Sequence, residues 1–384
     1  MDWYAQIDYS AVESGVTLFM NTNKTLLDGI DAYLGYGYGR RNYDCTSSDL
    51  EPFLKLTMRH ESNFLERQQK AIDIITDIVT QHGKRVLLRY VVRLAKVDRG
   101  IRELQPRVRD HVVHALLTFI LGIYLNERFL KAEESVDPFQ WELAGLFHDI
   151  GYPADIAAHL LEPYSKEVNS IDSELDVPTP DVRFEVVPIN LDILCNEENS
   201  LDLIQQCLDK WGLMIDAREE YDKAIHNLQH NERSIRHGMI SALLLLKVID
   251  SLYQKFNPQR EYVDKFAARS FDGLRRVNFN QKNFMEKVVP ACAAVYIHHL
   301  PDECFEKTKV DRSKAPLAFL LNLSDCLQEW ERPSADSDGF PASKFDLHIK
   351  KVNLVYQAYI PEDKKDEMRK RLESTLIIPD LRIE

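Results

Sequence analysis

The chain has 384 residues, of which 45% are hydrophobic, and its formal net charge is −13. A chain of this size can bury a large core, but its acidic balance argues against general binding to DNA, RNA or anionic membranes, which needs Lys and Arg. The six cysteines show no paired spacing, no apolar run follows the initial Met-Asp-Trp, and the longest apolar stretch is too short for a bilayer. We therefore expect a soluble protein of the reducing cytoplasm that is not bound to a membrane.

In chain order, residues 1–60 are of mixed character and are interpreted as an N-terminal extension. Apolar residues then recur at helical spacing in six segments, which are 64–94, 112–130, 139–147, 235–253, 284–298 and 317–330. Pro138 is placed to start the third of these helices, and Gly151 is placed to end it. The prediction is a mainly α fold whose helical core spans residues 61–332.

Two later stretches depart from this pattern. An insertion is expected at about 160–230, and its first part is acidic and rich in proline, which is typical of a long loop or lid. Residues 333–384 change character again, with β-branched and aromatic residues on both sides of a charged helix. They predict a small strand-helix-strand appendage, which makes the C-terminal unit α+β.

Histidines and aspartates lie in or beside the apolar helices. Burying an imidazole or a carboxylate without a partner is costly, so each needs a proton, a hydrogen-bond donor or a metal. Imidazole nitrogens and carboxylate oxygens together suit divalent metal ions, and seven candidates suffice for two ions that share a carboxylate. The candidate ligands are His111, His148, Asp149, His237, His298, His299 and Asp325.

The order of these residues resembles the HD superfamily of metal-dependent phosphohydrolases over about residues 106 to 331. The matching pieces are Arg109-Asp110-His111, Leu146-Phe147-His148-Asp149-Ile150-Gly151, Arg236-His237-Gly238, Ile297-His298-His299 and Ser324-Asp325. The resemblance implies an HD-domain helical bundle and four shared ligands, which are His111, His148, Asp149 and Asp325. It also implies that Asp149 bridges or orients water, and that His237, His298 and His299 serve a second ion. Because adjacent helix residues point about 100° apart, contact of His299 with the substrate is the alternative for that residue.

Other residues near these motifs are weighed separately. His114 shares a helix face with His111 and could support a ligand, but a structural role is preferred for it. Tyr152 stands where HD-GYP phosphodiesterases often have a lysine, and their Gly-Tyr-Pro signature is absent, which argues against cyclic-di-GMP as the substrate.

Arginines near the motifs are candidates for binding a substrate phosphate, since their forked guanidinium matches phosphate geometry. Arg89 and Arg93 belong to a basic stripe before the first histidine, for which a solvated helix face is the alternative. The phosphate-binding candidates are Arg89, Arg93, Arg109 and Arg236, and the catalytic candidates are Asp149, Arg236 and His237.

The resulting hypothesis is a hydrolase that acts on a nucleotide or a related small phosphoester. It would use one or two divalent ions, of Mn, Fe, Mg, Zn or Ni, to activate water. Two alternatives stay open: an HD-type diiron oxygenase, which has the same ligand order, and a nucleotide-binding sensor without turnover. The sequence leaves the oligomeric state open and is compatible with a homo-oligomer.

Overall fold

The computed structural model describes residues 47–57, 63–81, 87–104, 109–157, 190–195, 197–229, 236–257, 259, 280–328, 345–350, 353–358, 362–378 and 381–383. Most of the N-terminal extension and the proline-rich part of the expected insertion lie outside these residues.

The described residues are mainly helical, which confirms the predicted fold class. The helices of the core are α1 Ser47–Thr57, α2 Phe64–Gln81, α3 Leu88–Leu104, α4 His111–Arg128, α5 Pro138–Phe147, α6 Ser200–Trp211, α7 Ala217–Gln229, α8 His237–Phe256, α9 Val289–Ile297 and α10 Pro316–Leu327. No helix among the described residues has both the length and the apolar character needed to cross a membrane.

Helix α4 is the centre of the core. Its N-cap Asp110 accepts hydrogen bonds from the backbone N–H groups of Val112 and Val113, each at 3.1 Å, which fixes the start of the helix. Every residue from His111 to Asn126 is buried, because α2, α3, α5 and α10 pack around it. The apolar stretch of the sequence is therefore a core helix, as predicted.

Helix α9 is a second buried helix, and it packs against α5, α6, α8 and α10. It has only 9 residues and follows a π-helical turn, Phe284–Val288. The helical run from Gln281 to Ile297 is unbroken, so the helix predicted over 284–298 is present and contains this π-helical turn. Within the expected insertion, α6 and α7 are regular helices, so its second half is part of the helical core.

The C-terminal unit, as far as it is described, has three strands and one helix, α11 Glu362–Thr375. Strands β1 Phe345–Lys350 and β2 Asn353–Ala358 form an antiparallel hairpin, and β3 Leu381–Ile383 pairs parallel to β2. The first predicted strand is thus a hairpin. Helix α11 packs on α10, with Met368 and Leu372 buried, so the unit is attached directly to the helical core.

Candidate metal centre

Five helices bring polar side chains to one buried place. His148 and His298 are the C-cap residues of α5 and α9, and Asp149 follows the first of them. His237 is the first residue of α8, His114 lies one turn into α4, and Asp325 lies near the end of α10. The side chains therefore come mostly from helix ends, where the chain can turn a polar group into an otherwise apolar core.

A first group of ligand atoms consists of His114, His148 and Asp149. The Nε2 atoms of the two histidines are 3.3 Å apart, and they lie 3.7 and 3.5 Å from Oδ2 of Asp149. Oδ1 of Asp325 adds a second carboxylate at 2.8 Å from Nε2 of His114 and 3.6 Å from Nε2 of His148. Two imidazoles and two carboxylates thus face one point.

A second group consists of Asp149, His237 and His298. Oδ1 of Asp149 lies 3.3 Å from Nε2 of His237 and 3.7 Å from Nε2 of His298. The two oxygens of Asp149 therefore face different groups, which is the arrangement of a carboxylate that bridges two ions.

The other ring nitrogen, Nδ1, of each of these four histidines faces an oxygen acceptor. Nδ1 of His148 lies 3.0 Å from the carbonyl oxygen of Gly145, and Nδ1 of His298 lies 2.6 Å from that of Val295. Both histidines use the carbonyl three residues before them, at the end of a helix. Since only an N–H can donate to a carbonyl, Nδ1 carries the proton in both rings.

The same assignment follows for the other two histidines. Nδ1 of His237 lies 3.4 Å from Oδ2 of Asp155. Nδ1 of His114 meets Oε1 of Gln328, which also accepts from Arg109 at 2.7 Å. Because arginine can only donate, the atom between them is the amide oxygen, and His114 must donate to it. Fixing Nδ1 in this way is typical of histidines that bind metal through Nε2.

A divalent ion fits these residues. With Nδ1 protonated, the four neutral rings direct their Nε2 lone pairs at the carboxylates and at each other. Because these groups repel one another, the arrangement needs either added protons or cations. Nε2 of His298 is buried and has no hydrogen-bond partner among the described residues, a state that costs free energy unless a metal satisfies it. Mixed nitrogen and oxygen donors suit Zn, Fe, Mn and Ni ions.

Without a metal, protons compensate part of the negative charge of the carboxylates. Burial alone would raise the pKa of Asp149, but the charge of His148 and the hydrogen bond from His237 hold that pKa well below its usual range. Burial alone would lower the pKa of His237, but Asp149 and Asp155 raise it to about 10. The metal-free centre therefore contains an ionised Asp149 beside a protonated His237.

Two glycines allow the ligand-bearing segments to approach each other. A Cβ on Gly151 would lie 2.5 Å from the carbonyl oxygen of His237, and a Cβ on Gly238 would lie 2.7 Å from Cε1 of His298. The N–H of Gly151 also donates to the hydroxyl of Ser241 at 2.8 Å. Any larger residue would separate α8 from the segments that carry Asp149 and His298.

Five of the seven predicted ligands come together: His148, Asp149, His237, His298 and Asp325. His111 differs from the prediction, because it belongs to neither group. Its Nδ1 lies 2.9 Å from Oδ1 of Asp98 on α3, and its ring packs on Tyr152 with 3.4 Å between the ring centroids. His114, one turn further along α4, occupies the place expected of His111.

His299 also lies outside both groups. It is exposed, and its ring lies 4.0 Å from the ring of His237, measured between centroids. Because His298 and His299 are adjacent on the chain, only one of them faces the buried carboxylate.

The four arginines predicted to bind phosphate are either paired with groups of the protein or exposed on α3. Arg236 is paired with Glu220, and Arg109 donates to the side chain and the backbone of Gln328. Arg89 and Arg93 are exposed on α3. At about 100° per residue they lie roughly 180° and 140° around that helix from Asp98, so they face away from the centre.

Sequence reasoning undervalued His114 and missed Asp98, Asp155 and Gln328. His114 carried a usable signal, because it lies on the same helix face as His111 and deeper in the apolar stretch. Asp155 also carried a signal, because it is a carboxylate only six residues after Asp149. The contacts of Asp98 and Gln328 depend on tertiary packing, and no local pattern reveals them.

The chain was compared with protein-family models, with curated proteins and with solved structures, and none of these matches it. Functional conclusions therefore depend on the geometry of the centre and on the resemblance of its motifs.

Proposed function

We propose that the chain is a metal-dependent phosphohydrolase that acts on a nucleotide or a related small phosphoester. The observation that carries the proposal is the shared carboxylate of Asp149, whose oxygens face two groups of histidine Nε2 atoms. Paired metal ions are a recurring device of phosphate-ester hydrolysis, and a carboxylate with one oxygen towards each group of histidines would suit such a pair.

The chain's own residues supply the scaffold for this chemistry. His114, His148 and Asp325 would hold one ion, His237 and His298 the other, and Asp149 both. Bound ions would acidify a water molecule and neutralise charge on the phosphoryl oxygens. The buried Nδ1 acceptors keep the rings in fixed orientations, so that little reorganisation accompanies the reaction.

Substrate would approach from the side where the centre is least buried. The Asp325 side chain is 25% exposed, whereas that of His148 is fully buried. His299 is exposed and Tyr152 is partly exposed, and both rings lie beside His237. An aromatic rim of this kind suits a ligand with a flat ring, such as a nucleobase.

The arginines take a different role in this proposal. Arg109 and Arg236 are held by acceptors of the protein, so they position neighbouring groups and do not bind phosphate. Substrate charge would be met by the ions themselves, which removes the need for a separate arginine site.

The test is a screen of phosphate release from deoxynucleotides, cyclic nucleotides and dinucleotides, each with Mn²⁺, Fe²⁺, Ni²⁺ and Mg²⁺. We expect turnover that is lost in His148→Ala and retained in His226→Ala, a matched control at an exposed histidine of α7. Activity in His148→Ala equal to that of the control would reject the assignment.

Four imidazoles with two carboxylates also suit a diiron oxygenase. Oxygen consumption by the iron-loaded protein, without phosphate release, would favour that alternative. Nucleotide binding without turnover under every metal would instead favour a sensor.

A further inference from the structure

The turn that carries His298 is held from outside by the C-terminal helix. Nη2 of Arg371, in α11, donates to the backbone carbonyl of His298 at 3.1 Å. Nη1 of the same guanidinium donates to Oδ1 of Asp302 at 2.5 Å. One planar fork thus spans the connection between the end of α9 and the short 3₁₀ helix Asp302–Phe305.

The end of α9 needs donors from outside the helix. Helix α9 ends at Ile297, with His298 as its C-cap residue, so its last carbonyl groups lack helical partners. Arginine is a suitable donor to such carbonyls. Here the carbonyl belongs to a residue of the metal centre, so its backbone position depends on a residue 73 positions later in the chain.

Arg371 is itself firmly placed. Its helix neighbours Met368 and Leu372 are buried. Beyond the helix, the N–H of Val310 donates to the carbonyl of Thr375 at 2.8 Å, and the N–H of Ile377 donates to that of Val310 at 3.0 Å. The helix also packs on α10, the helix that carries Asp325.

The ion pair itself contributes little to folding. The side chains of Arg371 and Asp302 are 29% and 35% exposed, and pairs with this exposure add little stability in water. Losing the pair is therefore expected to alter the local geometry more than the free energy of unfolding.

We propose that Arg371 is a positioning residue for the second ion, because it holds the backbone of His298 in the orientation that directs Nε2 at Asp149. The C-terminal unit is then part of the metal centre, and anything that shifts α11 changes affinity for that ion. This inference rests on the proposed function, since it needs both groups to bind metal.

The test is a titration of the full-length, metal-free protein with Mn²⁺ by isothermal titration calorimetry. Arg371→Ala is expected to weaken the second binding event about ten- to hundredfold and to leave the first unchanged, which is the range found for supporting groups of metal ligands. Arg371→Lys retains the charge but has no fork to span two acceptors, so a smaller loss of the same kind is expected.

The matched control is Arg369→Ala, which removes a cation from the same helix. Arg369 pairs with Asp366 and the carbonyl of Ile383, away from His298. Equal binding curves for the Arg369 and Arg371 variants would overturn the proposal, as would an equal weakening of both ions in Arg371→Ala. Absence of Mn²⁺ binding by the unmodified protein would instead reject the proposed function.

Discussion

At the scale of the residue, each histidine of the centre is oriented by an acceptor on its Nδ1 side. Backbone carbonyls hold His148 and His298, a carboxylate holds His237, and an amide oxygen holds His114. The acceptors differ in kind, but each leaves Nε2 of its histidine facing the centre. The common feature of the four histidines is therefore the direction of Nε2 and not the identity of the acceptor.

The two histidines of α4 provide the first prediction. His114→Ala is expected to remove the first Mn²⁺ ion, because its Nε2 lies 3.3 Å from that of His148 and 2.8 Å from Asp325. His111→Ala is expected to retain both ions, since its ring is bound to Asp98. Metal content after dialysis measures both. Loss of an ion in His111→Ala with none in His114→Ala would restore the assignment made from sequence.

The pKa of His237 provides the second prediction. In the metal-free protein this pKa is about 10, so at pH 7 the ring is protonated at both nitrogens, and binding of an ion must release a proton. Affinity for Mn²⁺ at the second group should therefore increase as the pH rises towards 10.

Calorimetry at pH 7 in buffers of different ionisation enthalpy measures the released proton, and the release should be smaller in His237→Ala. The stability linked to this group has the opposite sign. In the metal-free protein it is full below the ordinary pKa of 6.5 and is lost as the pH rises through about 10. A heat of Mn²⁺ binding that is the same in every buffer would contradict the predicted release of a proton from His237.

At the scale of the element, the centre depends on how closely helix ends can approach. The N-terminus of α8 reaches His298 only because residue 238 has no side chain. Asp149 and His237 each have a glycine close by in the chain, Gly151 and Gly238, because a polar group at a helix end needs neighbouring backbone within a few ångströms.

Alanine substitutions at two glycines, Gly238 and Gly100, distinguish the effect of packing at the centre from the effect of helix propensity on stability. Gly238→Ala places a Cβ 2.8 Å from Nδ1 of His298 and should cost about 1–3 kcal/mol of stability together with the second ion. Gly100→Ala lies in α3, where no described atom outside the neighbouring residues and the helix backbone is within 4 Å of an added Cβ, and it should stabilise the protein by about 0.5–1 kcal/mol. Thermal unfolding and metal content measure both, and a Gly238 variant that behaves like the Gly100 variant would contradict the packing argument.

Much of this element-scale arrangement follows from the sequence. The apolar periodicity predicts the core helices, and the His148-Asp149 pair before Gly151 predicts the centre of the site. The choice between His111 and His114 does not follow, because both share a face of α4 and the decision depends on Asp98, which lies on another helix. The docking of α11 is equally non-local, since Arg371 and His298 meet only in the folded chain.

At the scale of the whole molecule, a buried cluster of carboxylates and imidazoles joins α4, α5, α8, α9 and α10. Such a cluster opposes folding unless its charges are compensated. An ion bound by elements from distant parts of the chain would therefore stabilise the whole core.

Metal removal should accordingly lower the thermal stability of the whole protein in one transition of the helical core. At a Mn²⁺ concentration of 100 times the dissociation constant, each site should add about 2.7 kcal/mol to the free energy of unfolding. Differential scanning fluorimetry with and without a chelator measures the shift. An unchanged melting temperature would mean that the centre does not bind the ion in the folded state.

The central claim is that Asp149 is shared by two ions, and the most direct measurement is the number of Mn²⁺ ions that remain bound at equilibrium in three forms of the protein. The unmodified chain should hold two ions, His237→Ala should hold one, and Asp149→Asn, which retains the shape of the side chain, should hold neither tightly. Retention of both ions by Asp149→Asn, with an intact helical spectrum, would contradict the account.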